Sequence, residues 1–87
     1  MIQNDIEILD DIPQCMHHLE RIWITVWGKS SMKLGYYIYK FQEGSRVYNY
    51  FLFKKLDNTS TRVKYLGTFD RLELVSNTIK ECEFGGK

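Results

Sequence analysis

Proline occurs once in these 87 residues, histidine twice and cysteine twice, and no apolar run approaches the ~18 to 20 residues of a membrane-spanning helix. Each scarcity excludes something. Cys15 and Cys82 are too few and too far apart for the disulfide framework of small secreted domains, so free, mostly buried thiols are expected, a single bridge between the two chain ends being the other arrangement. The opening MIQNDIEILDD is acidic where a secretory signal would be basic. The chain therefore reads as soluble and intracellular, with no membrane partner. Neither GxxxxGK[ST] nor GxGxxG is present, so nucleotide binding has no motif behind it. Cys15, His17, His18 and Cys82 are the whole Cys and His inventory, and Cys82 has no neighbouring ligand, which argues against structural zinc. His17 and His18 point apart if they lie on a helix, and Asp10, Asp11 and Glu20, which could hold a nuclease metal, are more simply acids that favour a helix dipole. The expectation is a non-enzyme without metal or cofactor.

What remains is ordinary globular material with an uneven charge distribution. Apolar residues make up 44% and charged residues 26%, and a chain of this length supports one thin core, hence a single domain over residues 1–87. Residues 1–20 carry Asp5, Glu7, Asp10, Asp11 and Glu20 with no base, a net −5. Residues 21–66 carry Arg21, Lys29, Lys33, Lys40, Arg46, Lys54, Lys55, Arg62 and Lys64 against Glu43 and Asp57, a net +7, together with eleven of the thirteen aromatics. Basic charge interleaved with rings is the composition of a nucleic-acid surface, and also of a strand edge guarded by lysines.

Along the chain, DDIPQCMHHLER predicts a short helix, capped by Asp11, with Pro13 in its first turn, ending near residue 20. The β-branched and aromatic IWITVW predicts a strand over 21–28. A polar connection, GKSSMKLG, leads to strands at 34–42 and 46–55 joined by a QEGS turn, then to a third run, RVKYLG, that ends at Gly67. From Asp70 the spacing of Leu72, Val75, Ile79 and Cys82 predicts a helix, with Asp70 and Glu73 placed as a capping-box-like pair, before a loose FGGK tail. The fold class is α+β: a three- to four-stranded antiparallel sheet, a short N-terminal helix, and a C-terminal helix packed on one face.

Strand side chains alternate, so register decides which residues share a surface. Pairing Phe41 with Arg46 across QEGS, and Leu52 with Tyr65 across DNTS, puts Tyr37, Tyr39, Phe41, Arg46, Tyr48, Tyr50, Leu52, Lys54, Val63 and Tyr65 on one face. The other receives Tyr36, Ile38, Lys40, Val47, Asn49, Phe51, Phe53, Lys64 and Leu66, and the C-terminal helix is expected to cover it. Five of six tyrosines thus share the first face. They read either as a half-wet stacking platform or as cross-strand packing beneath the N-terminal helix.

GYYIYKF, a turn, RVYNYFLFKK and RVKYLGTFD followed by a helix resemble small three-stranded-sheet modules of archaeal and mobile-element proteins, and the layout is similar to arm-type DNA-binding domains of tyrosine integrases. The resemblance covers about residues 34–82 and implies a sheet docked against DNA, with Arg46, Arg62, Lys54 and Lys64 at the matching basic positions. The acidic first twenty residues and the lack of a recombinase domain depart from that pattern, and a free-standing viral or mobile-element accessory protein fits it. The leading expectation is a nucleic-acid-binding module, for DNA or RNA, using Tyr37, Tyr39, Arg46, Tyr48, Tyr50, Lys54, Arg62, Lys64 and Tyr65. The alternative is a small interaction or inhibitor protein acting on a host protein, and homodimerisation through an edge strand or the two-tryptophan strand is compatible with either.

Overall fold

The computed structural model describes residues 7–85, so Gly86 and Lys87 of the expected tail lie outside the described residues. The chain runs through β1 (Glu7–Leu9), a 3-10 turn (Gln14–His18), β2 (Glu20–Ile22), β3 (Thr25–Val26), β4 (Lys29–Ser30), β5 (Tyr36–Gln42), β6 (Tyr48–Lys55), β7 (Val63–Phe69) and α1 (Leu72–Phe84). Strands β5, β6 and β7 form an antiparallel meander, as their aromatic and β-branched sequences predict. β2 adds to the free edge of β5 and β1 to that of β7, giving a five-stranded sheet in the order β1-β7-β6-β5-β2 rather than the three to four strands expected, and β3 and β4 form a separate two-stranded hairpin. Both outer strands therefore come from the first 22 residues, and the segment between them crosses one face of the sheet.

α1 covers the opposite face. Val75 and Ile79 are fully buried against Tyr36, Ile38, Tyr50, Leu52 and Val26, with Leu66, Phe69 and Cys82 packed around them. Burying each such branched side chain contributes roughly 1.5 to 3 kcal/mol, so this contact fixes the helix. The helical spacing of Val75, Ile79 and Cys82 anticipated it, whereas Leu72, expected on the same face, is 37% exposed. The expected capping pair is not formed: Arg71 occupies the cap position without a side-chain cap bond, and Asp70 precedes it. No helix among the described residues is long and apolar enough to cross a membrane.

Four expectations need correction. Instead of an Asp11-capped helix reaching residue 20, the chain forms a five-residue 3-10 turn with no buried residue, and the Asp11 carboxylate accepts from the N–H of Ile12 at 2.7 Å. A helix that short is marginal alone, and pairing Glu20–Ile22 with Ile38–Lys40 pulls the chain into extended conformation from Leu19 onward. The strand expected over 21–28 breaks after Ile22. Ser31 is the cause: its N–H donates to the Ile24 carbonyl at 2.8 Å and its fully buried hydroxyl accepts from the Ile24 N–H at 3.1 Å, turning β3 and β4 away from the sheet. Cys15, expected to be buried, is exposed, while Cys82 is half-buried, and both are free.

The fourth correction concerns register. Gln42 pairs with Tyr48 and Tyr39 with Phe51, because the β5–β6 connection is a five-residue loop in which the N–H groups of Glu43 and Gly44 both donate to the Val47 carbonyl, at 2.8 and 3.3 Å. Tyr48, Tyr50, Leu52 and Lys54 consequently face α1, while Phe51 and Phe53 join Tyr37 and Tyr39. Between β6 and β7 a bulge intervenes, with Leu52 opposite Gly67 but Phe53 opposite Tyr65. Gly67 has φ +136°, and a Cβ there would lie 3.3 Å from the Phe69 ring, so the strand does not end at this glycine but kinks and continues to Phe69. Both departures are odd-numbered, so they cancel across the meander. Tyr37, Tyr39, Val63 and Tyr65 share a face as expected, and only β6 is inverted.

Candidate nucleic-acid interface

The inversion of β6 disperses the expected tyrosine platform. Tyr39 is 6% exposed, its ring edge-on to Phe53 at 6.0 Å, and Tyr50 is 8% exposed inside the helix-side core. Tyr65 is half-buried against Phe53 at 5.3 Å, and its hydroxyl is hydrogen-bonded to that of Thr68. Tyr48, also half-buried, lies on the helix side with the Lys40 ammonium 4.5 Å from its ring centroid.

The basic positions are scattered too. Arg46 is exposed in the β5–β6 loop, and Arg62 is exposed at the other end of β6, 3.9 Å from the Asp57 carboxylate. Lys54 and Lys64 face each other in register on the helix side. Lys54 sits 4.5 Å above the Tyr36 ring and 3.8 Å from Glu83, whose carboxylate also accepts from the buried Tyr36 hydroxyl at 2.7 Å. Burial first, then the bond to Glu83, pushes that hydroxyl far above the usual tyrosine range. These contacts make the Lys54 neighbourhood part of the helix's attachment.

Tyr37 keeps a partly accessible ring in a cationic setting on the face opposite α1. It is half-buried at an open groove of about 480 Å³ on the face opposite α1, lined by Arg21, Lys55, His17, Asp11 and the 58–61 loop. Alternation explains the arrangement: Arg21 pairs with Tyr39 and Lys55 with Val63, both on this face. The Arg21 guanidinium carbon lies 5.3 Å from the Tyr37 ring centroid, a cation–π distance. Trp23, two residues beyond Arg21 and just past the end of β2, is 61% exposed.

One wall of the groove is held by internal hydrogen bonds. The Asp57 carboxylate accepts from the Thr59 N–H at 2.9 Å and from the Thr59 and Ser60 hydroxyls, each at 3.1 Å. Those bonds, the Thr59 N–H foremost, hold its carboxyl below the ordinary value. The Thr61 hydroxyl donates to the Asp10 carbonyl at 2.6 Å, tying this loop to the segment that crosses the face. The groove can accept an anion between Arg21 and Lys55 and a planar group against Tyr37.

Arg21, Lys55, His17 and Trp23 were not among the residues that the sequence pointed to for this role. Lys55 could have been found from a correct hairpin register, since it lies two residues beyond Phe53, the partner of Tyr37. Arg21 carried no comparable signal, because its pairing depends on a strand assumed to start at that residue. Among the described residues no group of three His, Cys, Asp or Glu side chains is gathered so as to hold a metal ion. No protein-family model, curated protein or solved structure matches this chain.

Proposed function

We propose that this chain is a non-enzymatic, intracellular nucleic-acid-binding module that seats a single strand in the Arg21–Tyr37–Lys55 groove. The observation that carries the reading is the Arg21 guanidinium at 5.3 Å over a half-exposed Tyr37 ring, in a groove that also holds Lys55 and His17. Its volume falls within the roughly 300 to 1,000 Å³ of ligand sites, which suits an unpaired nucleotide better than a duplex. Arg21 and Lys55 neutralise phosphates, Tyr37 and the guanidinium plane stack a base, and Trp23 offers a neighbouring base a second ring. The pre-formed 57–61 loop lowers the ordering cost of binding. The resemblance to integrase arm modules, and with it a viral or mobile-element origin, is compatible with this reading, although the residues differ from those that the resemblance suggests.

The test is anisotropy titration of labelled oligo(dT), oligo(rU) and a DNA duplex at two salt concentrations. Binding should favour the single strands and weaken with salt in proportion to the phosphates neutralised. Replacing Arg21 and Lys55 together by Glu should weaken it by about 1 to 3 kcal/mol or more while leaving thermal unfolding unchanged. Absence of single-strand binding at low salt would sink the proposal.

A further inference from the structure

The β3–β4 hairpin carries its own anomaly. Val26 pairs with Lys29, so Trp27 and Gly28 are the two central residues of the turn, with φ +53° and +79°. Positive φ at both positions is the mark of a type I′ turn, where Asn-Gly, Asp-Gly or Gly-Gly is favoured. Tryptophan is a poor choice there. Among the described residues Trp27 is the single non-glycine residue with positive φ, and a bulky side chain in that region is strained.

Burial within the fold does not account for the strain. The Trp27 ring is 60% exposed, and its contacts are an edge-on approach to Phe84 at 6.3 Å and the Lys80 ammonium at 6.0 Å. Phe84 itself is 75% exposed. A shallow depression of about 500 Å³ beside the turn is lined by Gly28, Lys29, Ser30, Lys33 and Leu34, with no carboxylate. Of the neighbouring acids on α1, Glu83 is engaged by Tyr36 and Lys54, and Glu81 follows Lys80.

We infer that Trp27, flanked by Lys29, Lys33 and Lys80, anchors a docking surface for an acidic segment of a partner protein that inserts an apolar side chain beside the ring. Tryptophan is prominent among interface residues that dominate binding energy, and a ring of lysines selects an acidic rather than a basic or neutral strip. Trp27 and Lys80 lie on the helix side of the molecule, whereas Lys33 also borders a depression shared with Tyr37 and Lys55 of the groove, so the inference stands on Trp27 and does not depend on nucleic-acid binding there.

The test uses three probes on the whole chain: a labelled short peptide with Leu and Phe at helical spacing and Asp and Glu between them, the same peptide with Lys replacing the acids, and oligo(dT). The acidic peptide should bind saturably and the basic one should not. Trp27→Asn should weaken acidic-peptide binding by about tenfold or more while keeping or raising the melting temperature, since Asn-Gly suits the turn. Lys29→Glu with Lys33→Glu should weaken binding without touching the strained position. The inference is overturned if the acidic peptide fails to bind at about 1 mM, or if Trp27→Asn binds it as the parent does. It is equally overturned if the variant instead loses oligo(dT) binding, or loses a concentration-dependent self-association. A lower melting temperature in Trp27→Asn would remove the argument from strain.

Discussion

On its helix side the sheet presents Tyr36, Ile38, Tyr50 and Leu52 to Val75 and Ile79, and the regular spacing of α1 closes that core. On its other side Tyr39, Phe53 and Val63 are met by Leu9, Ile12, Met16 and Leu19, which arrive from an irregular crossing segment and leave Tyr37, Phe51 and Tyr65 half-covered. The contrast separates holding the fold together from presenting a surface. A thirteen-residue helix buries a continuous stripe; a 3-10 turn cannot, and the groove is what it leaves open.

The largest expected effect tests whether the helix side dominates stability. Leu52→Ala should cost about 2 to 5 kcal/mol in denaturant unfolding, whereas Met16→Ala, half-buried on the groove side, should cost about 1 kcal/mol. Equal costs would break the comparison. Next in size is the buried link between Tyr36 and Glu83. Tyr36→Phe should lose about 1 kcal/mol at neutral pH. The folded chain holds the Tyr36 proton well above its ordinary value of 10.0, so above that pH the unfolded chain releases it first and stability should fall. Urea midpoints followed into alkali should show a shallower decline in Tyr36→Phe, and an unaltered slope would contradict the assignment.

The smallest effect belongs to the groove side. The Asp57 carboxyl is held below its ordinary value of 3.8, so its bonds to Thr59 and Ser60 support the folded loop above that pH and are lost as pH falls through the lowered value. Asp57→Asn should therefore blunt the loss of stability as pH falls below 3.8, read from the same midpoints. It should also loosen the groove wall, so oligonucleotide affinity should drop slightly at neutral pH. Unchanged affinity would detach the loop from the proposed site.

Much of this contrast was legible in the sequence. The meander, the C-terminal helix and the inward positions Val75 and Ile79 follow from periodicity, because period two and period 3.6 are distinct over segments of this length. The facing of β6 was not legible. YNYFLFKK is aromatic on both of its faces, so alternation cannot say which side is core, and the choice fell to the turn. Gly44 and Ser45 suggest a tight connection, yet the loop closes over five residues through the Val47 carbonyl. The bulge at Leu66 and Gly67 was similarly hidden, since Gly67 resembled a strand end. The candidate site was missed for a related reason: it is assembled by β2, whose existence depends on a partner 18 residues along the chain rather than on any local helix signal.

The crossing segment also bears on the order in which the chain folds. Strands β5, β6 and β7 are joined by short loops to one another and to α1, so their contacts are local, while β1 must close against β7 over more than fifty residues. Local contacts form early and long-range closure late, so the meander with its helix is the predicted nucleus and the two flanking strands dock afterwards. Native-state hydrogen exchange should then show the amides of Leu9 and Arg21 opening well before those of Ile38 and Leu52. Protection of equal depth across all five strands would mean that the sheet assembles as a single cooperative unit.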